Sequence, residues 1–325
     1  MTNQFPYLSL VCYHNFNPLI RTLLVIGFFT VWQLFCVAQN ATGDLQRYFE
    51  QIRTGGYPSF PASALNANNK SELLRSIADN RQDSVEQVRS RAYYAIKRIA
   101  ADSGDPGVRS QAVGLLVSGV SDRSAAVNSV ALSGLQNFSR EDFGNGEKQS
   151  LNSFLGNSAI FNKDELVRLV GFINDSGETT ALSSSLSQAT GFRMRWAYQI
   201  ALARLGDQRS VDFLLSRIQA APINDDFVYD IIPDLVYTRN KQIFQFIDEM
   251  LMDPNPRCES ASPDNNEALS CGYKLLEYYA RTVANFPLTL DEYGDLDLDD
   301  YQTGLATART WVNSNPDYSV LNDKY

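Results

Sequence analysis

A short apolar pattern that recurs at the spacing of one helix constrains this sequence more than any other feature. The segments 88–96, 108–116 and 127–135 each carry valine first, alanine four positions later and isoleucine or leucine four positions after that. Steps of four residues place these side chains on one face of an α-helix, and the small alanine lets a neighbouring helix approach. The segments begin 20 and 19 residues apart, which leaves room for one helix and a short turn. The pattern predicts stacked helices without strands.

Capping residues support this interpretation. Asp105 and Pro106 precede the second segment, where aspartate suits the N-cap and proline suits the first helical position. A fourth unit, 193–218, carries Ala197, Ala201 and Leu205 at the same four-residue steps. Gly206 and Asp207 follow, as expected where one helix ends and the next begins.

The most specific resemblance lies in that fourth unit. The run Ala-Leu-Ala-Arg-Leu-Gly-Asp at 201–207, followed by Val-x-x-Leu-Leu at 211–215, resembles a HEAT-type helical repeat. Asp-Pro-Gly-Val-Arg at 105–109 resembles the start of another, and the clear matches cover 84–138 and 193–219. The resemblance implies an all-α fold, a right-handed α-solenoid of stacked antiparallel helix pairs. Degenerate HEAT repeats grade into armadillo repeats, so we expect the broader HEAT/armadillo-like class.

The remaining chain divides around this array. We expect N-terminal capping helices over 39–83, HEAT-like repeats over 84–252, and a disulfide-bearing loop with C-terminal capping helices over 253–325. A Gly- and Pro-rich break at 55–61 follows the first helix. Further helices are predicted over 44–53, 70–81, 146–155, 163–174, 177–187, 225–237, 240–252, 267–284 and 298–313.

The first 38 residues predict a secretory signal peptide. Arg21 is followed by an apolar run, and the stretch from Leu23 to Ala38 holds 16 residues. A membrane-spanning helix needs about 20, so cleavage after Ala38 is favoured over retention as an N-terminal signal anchor. We therefore expect a secreted protein, or one of the periplasm or cell envelope, with no stable membrane insertion after cleavage.

Two cysteines remain after removal of the leader, Cys258 and Cys271, and they predict one disulfide in an exported chain. Their separation of 13 residues argues against the alternative of a Cys-x-x-Cys redox pair. The only histidine of the sequence, His14, lies in the leader. The expected mature chain therefore lacks a Ser-His-Asp triad and an imidazole metal site. We expect no metal, no cofactor and no enzyme activity, although carboxylate catalysis stays open.

The charge pattern bears on ligands. A net charge of −9 argues against nucleic-acid binding. The densest acidic run, 291–300, raises the alternative of calcium binding, but it lacks the ligand spacing of an EF-hand. We expect a solvated loop whose last aspartates cap a helix at 301–313.

Aromatic and arginine side chains give the candidate contact surface. Adjacent tyrosines such as Tyr278 and Tyr279 cannot both face the core, so one of each pair should lie near a surface. Arg89, Arg109 and Arg195 either pair with aspartates between repeats, which we favour, or line an exposed face. The candidates for a partner-binding surface are Tyr93, Arg109, Arg195, Tyr198 and Tyr229.

These features favour an exported, non-catalytic scaffold that binds a protein or peptide partner on a long repeat surface, with no small-molecule ligand expected. Two alternatives stay open. Short HEAT-like repeats also resemble those of phycobilin lyases, which implies an enzyme or enzyme subunit, although the leader argues against it. An envelope polymer binder would need an aromatic or charged groove, which the sequence does not locate.

Overall fold

The computed structural model describes residues 41–260, 267–323 and 325. The regular structure of these residues is helical except for one two-stranded sheet, so the prediction of an all-α fold is confirmed. The predicted leader, 1–38, lies outside the described residues. In the part of the chain that the structure describes, no helix combines the length and apolar character needed to cross a membrane.

The chain forms two compact units, the first ending at Ile77 and the second comprising Ala78–Tyr325. The first unit contains helix α1 (41–53), helix α2 (Ala62–Leu65) and helix α3 (Lys70–Ile77). Helix α1 ends before Gly55, whose φ of 87° terminates the helix as the predicted break requires. The subdivision at 83 and 252 stays a prediction.

Twelve α-helices follow in the described part of the second unit. They are α4 (Glu86–Ala100), α5 (Pro106–Val117), α6 (Ala125–Leu135), α7 (Asn145–Phe154), α8 (Lys163–Ile173), α9 (Thr180–Leu186), α10 (Phe192–Arg204), α11 (Gln208–Ile218), α12 (Ile232–Tyr237), α13 (Lys241–Met252), α14 (Leu276–Thr282) and α15 (Tyr301–Ser314). Each helical segment predicted from the sequence overlaps one of the observed helices, although the segment predicted over 267–284 includes the strand Leu269–Ser270 and is α-helical only from Leu276 to Thr282. Asp105 and Asp207 cap α5 and α11 by accepting backbone N–H bonds, as predicted.

The helices of the second unit pack in an alternating pattern. Helices α4, α6, α8, α10, α12 and α14 each contact the next member of that series. The intervening helices form contacts of the same kind, α5 with α7 and α11 with α13, which in turn contacts α15. Because α4, α6 and α8 begin at Glu86, Ala125 and Lys163, one repeat corresponds to a pair of helices.

The repeated apolar face forms the core of this packing. The nine stripe residues of the first three segments are at most 5% exposed: Val88, Ala92, Ile96, Val108, Ala112, Leu116, Val127, Ala131 and Leu135. Between α8 and α10 the backbones approach closely, since a Cβ added at Gly171 would lie 2.7 Å from the Cβ of Ala201. The small residue in the stripe therefore sets the helix separation, as expected.

Arginine contacts recur between successive repeats. The Arg89 guanidinium donates from Nε and Nη2 to the two carboxylate oxygens of Asp122, at 2.9 and 3.0 Å. Arg109 Nε donates to Asp142 Oδ1 at 2.9 Å, again across 33 residues. Structural pairing of Arg89 and Arg109, the interpretation we favoured, is thus confirmed.

One element was missed by the sequence analysis. Strands β1 (Pro256–Cys258) and β2 (Leu269–Ser270) pair antiparallel at the base of the polar insertion, where we predicted no strand. The predicted disulfide is confirmed: Cys258 and Cys271 are bonded, with Cα atoms 5.1 Å apart. Strands this short carry no alternating pattern of their own, so their pairing follows from the bridge and the surrounding contacts.

Candidate binding cleft

The five candidate surface residues fall in different places. Tyr93 and Tyr198 are 3% and 2% exposed, and a buried ring cannot contact a partner in this conformation. The prediction is corrected for these two, whose rings pack inside the repeats instead. Arg109 is committed to its ion pair with Asp142. Arg195 is exposed and donates from Nε to the carbonyl of Ala189 at 3.1 Å, so it joins no inter-repeat pair in this contact.

Tyr229, the fifth candidate, is 61% exposed and lines an open cleft of about 510 Å³. The lining combines four tyrosines with aliphatic side chains and two charged groups: Val228, Tyr229, Ser260, Leu269, Tyr273, Lys274, Glu277, Tyr278, Leu296 and Tyr301. These residues come from four separate stretches of sequence, so the cleft exists only in the folded chain.

A π-helical turn presents Tyr229 to the cleft. The turn spans Phe227–Ile231 and runs directly into α12, which carries Pro233 in its first turn. Proline has no N–H, so the carbonyl of Tyr229 cannot accept the ordinary i+4 helical bond. Asn224 Oδ1 accepts the N–H of Phe227 at 3.0 Å and fixes the start of the turn. Turns of this kind are frequent at functional sites.

Lys274 lines the cleft and contacts Tyr229. Its ammonium donates to Asp225 Oδ1 and, at 3.1 Å, to the hydroxyl of Tyr229. Lys274 Nζ also lies 4.8 Å from the centroid of the Tyr229 ring, in cation–π geometry. Burial is the largest single influence and lowers the pKa of Lys274, but the hydrogen bonds to Asp225 and Tyr229 together with the charge of Asp225 outweigh it, so the pKa of the lysine is raised. By the same contact the pKa of Asp225 is lowered despite burial, so both groups are charged.

Asp225 also connects the π-helical turn to the hairpin. Its second carboxylate oxygen accepts the N–H of Glu259, directly after β1, at 2.7 Å. The disulfide then holds Cys271 beside β1, and the turn that begins at Cys271 carries Tyr273 and Lys274. The cross-link and the carboxylate therefore fix the same wall of the cleft.

The rest of the lining comes from α14, which continues directly from the turn 271–275, and from the start of α15. Tyr278 is half-buried on α14 while Tyr279 is fully buried, which confirms the prediction for adjacent tyrosines. Tyr301 begins α15, which Asp300 caps through bonds from the N–H groups of Gln302 and Thr303, as predicted for the end of the acidic run. Glu277 accepts a 2.7 Å bond from Arg281 one turn away.

The acidic loop before α15 is organised by its own backbone. Asp291 Oδ1 accepts the N–H groups of Tyr293 and Asp295 at 2.8 and 2.9 Å. Among the described residues no group of three or more His, Cys, Asp or Glu side chains is placed to hold a metal ion. Within this loop, Leu296 is the residue that lines the cleft.

The net charge of the protein is concentrated in the stretches of sequence that supply most of the cleft lining. The stretches 225–230, 267–281 and 291–301, which supply most of its lining, contain eleven acidic and two basic residues. The rest of the sequence contains 26 acidic and 26 basic residues, because the whole chain has 37 and 28. The rest of the sequence therefore has no formal net charge, and the stretches that supply most of the cleft lining are strongly acidic.

The charged groups of the lining have partners within the chain, and its tyrosines present rings and hydroxyl groups. Its two charged groups, Lys274 and Glu277, are each engaged in an ion pair, and its lining includes no histidine or cysteine. The tyrosines offer ring faces and hydroxyl groups, which give contact area and hydrogen bonds at low conformational cost.

Comparison with known proteins leaves the cleft to be interpreted from its own chemistry: no protein-family model matches the sequence, and no curated protein shows significant similarity to it.

Proposed function

We propose that this chain is an exported, non-catalytic recognition protein whose HEAT/armadillo-like helical array carries a binding site for a segment of a protein partner. The observation that carries the proposal is the tyrosine-lined cleft beside the disulfide hairpin. A right-handed solenoid is part of the proposal, supported by the alternating helix contacts and by the ion pairs that recur 33 residues apart.

The cleft has the size and composition of a recognition site. A volume of about 510 Å³ accommodates a few side chains of a peptide. Tyrosine is enriched at binding surfaces because its rigid ring buries a large area while its hydroxyl stays hydrogen-bonded. Here the disulfide and the contacts of Asp225 hold the wall in place before binding, which lowers the entropy lost on association.

Export is supported by the same disulfide, since such bonds persist in oxidising compartments. The leader stays a prediction, and the secreted, periplasmic or envelope location is part of the proposal. The alternative of a phycobilin-lyase-like enzyme gains no support from the cleft lining. The envelope polymer binder gains one observation, because the aromatic groove that it requires is present.

Selection from a random-peptide phage library tests the proposal. The full chain, expressed with its own leader in an exporting host, is immobilised with the disulfide intact. We expect selected peptides to lose about tenfold or more in affinity when Tyr229→Ser or Tyr301→Ser removes a ring from the cleft. Tyr57→Ser is the matched control, because Tyr57 is 92% exposed and lies outside the lining.

Failure to select any peptide, or selection of peptides that bind the Tyr229 and Tyr301 variants unchanged, would overturn the proposal. If the wild type bound an envelope polysaccharide and the same variants did not, the cleft would instead be a polymer-binding site, as in the alternative above.

A further inference from the structure

The cleft already holds one ammonium group. Lys274 Nζ rests over the ring of Tyr229 and donates to its hydroxyl, with Asp225 as the counter-ion. A protonated amine in this position thus contacts the face of the tyrosine ring, donates to the phenol oxygen and forms an ion pair with a carboxylate. This contact within the chain shows what chemistry the lining accepts: a cation placed on tyrosine and balanced by aspartate.

Both basic residues of the three bordering stretches are used internally. Arg281 is held by Glu277 at 2.7 Å and also donates to the carbonyl of Gly294. Exposed carboxylates lie one or two sequence positions from residues of the lining, and we call them the acidic rim: Asp226, Asp230, Glu259, Asp295, Asp297 and Asp299. The rim is therefore negative around an aromatic lining.

This arrangement discriminates among ligand charges. A recess lined by one sign of charge focuses the potential and raises the local concentration of oppositely charged groups. Acidic peptides and anionic surfaces would be repelled by the rim. A neutral peptide would gain contact with the rings but nothing from the carboxylates, whereas a lysine or arginine side chain gains from both.

We propose that the cleft recognises a basic segment of a protein partner, with a lysine or arginine side chain on the tyrosine faces and flanking basic residues against the acidic rim. This inference rests on the proposed function and specifies its ligand. The tyrosines supply the anchor, and the carboxylates supply orientation and a fast, salt-dependent association.

The same phage selection, read for composition, tests the inference. Peptides that depend on Tyr229 should be enriched in lysine and arginine relative to the input library. A selected peptide, synthesised with a fluorescent label, should bind about tenfold or more tightly than the same peptide with glutamate in place of its basic residues. Its affinity should fall steeply between about 50 and 300 mM salt, because exposed charges are screened.

Charge variants separate a local site from the net charge of the protein. The double variant Asp297→Asn with Asp299→Asn should weaken the peptide about threefold or more and reduce the salt dependence. The matched control, Asp102→Asn with Glu141→Gln, removes two exposed carboxylates outside the three stretches and should leave affinity unchanged. Lys274→Met removes the internal ammonium from Tyr229 and Asp225, so it should strengthen binding of the basic peptide.

The outcomes distinguish this inference from the proposed function. Cleft-dependent peptides that are neutral, proline-rich or acidic would overturn the basic-ligand inference and leave peptide recognition intact. Suppose that basic peptides lose affinity equally with both double variants and keep it with Tyr229→Ser. They would then bind through the net charge of the protein, and both the basic-ligand inference and the proposed function would be overturned. An equal loss with Lys274→Met and Tyr229→Ser would contradict the role of the cation site.

Discussion

Replacing Gly171 by alanine tests whether close helix approach holds the repeats together. Gly171 lies in α8, and a Cβ at this position would lie 2.7 Å from the Cβ and 2.8 Å from the Cα of Ala201 in α10. It would also lie 2.9 Å from the hydroxyl oxygen of Tyr237. The Cα and Cβ of Ala201 are fixed by the backbone, so no side-chain rotation relieves the clash.

The magnitude follows from the size of this overlap. Carbon atoms in contact settle at about 3.5–4.0 Å, so α8 and α10 must separate by about 1 Å. Overpacking of this kind costs about 1–3 kcal/mol. An alanine also gains about 1 kcal/mol over glycine within a helix, which partly offsets the cost.

A second glycine isolates the steric cost. Gly146 lies in α7, and a Cβ added there meets no atom within 4 Å. Gly146→Ala should therefore leave stability unchanged or raise it by up to about 1 kcal/mol. The difference between the two variants then approximates the clash alone.

Urea unfolding followed by helical circular dichroism measures both variants. We expect the midpoint of Gly171→Ala to fall below that of Gly146→Ala by an amount equivalent to about 1–3 kcal/mol, at an unchanged slope. Ala201→Leu should lower the midpoint in the same direction, since it adds volume across the same contact. Equal midpoints for Gly171→Ala and Gly146→Ala would refute close packing of α8 on α10.

Three further perturbations address charge and the cross-link. Arg89→Met leaves the carboxylate of Asp122 buried without its bidentate partner, so the free energy of unfolding should fall by about 3–5 kcal/mol. Adding Asp122→Leu should restore part of this stability, and a double variant no more stable than Arg89→Met would contradict the pairing. Burial raises the pKa of Asp248 despite its hydrogen bonds from two tyrosines, so the folded chain binds its proton more tightly and loses this stability as the pH rises above 3.8. Asp248→Asn should therefore gain stability relative to the wild type between that pH and about 7, measured by urea unfolding at both; a constant difference would exclude the linkage. Reduction of the Cys258–Cys271 disulfide should leave the helical circular dichroism unchanged and increase proteolysis within the hairpin, because the bridge stabilises its loop by about 3 kcal/mol. Loss of the helical signal on reduction would contradict a local role for the disulfide.

The repeats were predictable because their local rules agree. Val108, Ala112 and Leu116 are spaced for one helical face, Asp105 supplies the cap, and the structure buries the stripe accordingly. Each signal lies within a dozen residues, so it is visible along the sequence. That Arg89 pairs with an aspartate between repeats was also predictable, because arginine beside the stripe recurs with the stripe itself, whereas the partner, Asp122, is identified by the structure.

The cleft was only partly predictable because its walls come from distant stretches. Tyr229 was recognised as a surface candidate, whereas Tyr278 and Tyr301 reach the same cavity through the packing of α14 and α15. No short-range pattern records that convergence. Tyr198 was misplaced for the opposite reason: a tyrosine next to an apolar stripe has the same sequence whether its ring points inward or outward.

The departures from regular repeat structure are concentrated where the cleft lies. A π-helical turn directly precedes the helix that carries Pro233, Cys258 and Cys271 close a hairpin, and the loop before α15 carries a dense run of acids. Each feature breaks a rule that the earlier helices obey, and local rules are most often broken at functional sites. Their convergence on one cavity is the structural basis on which the proposed ligand binding rests.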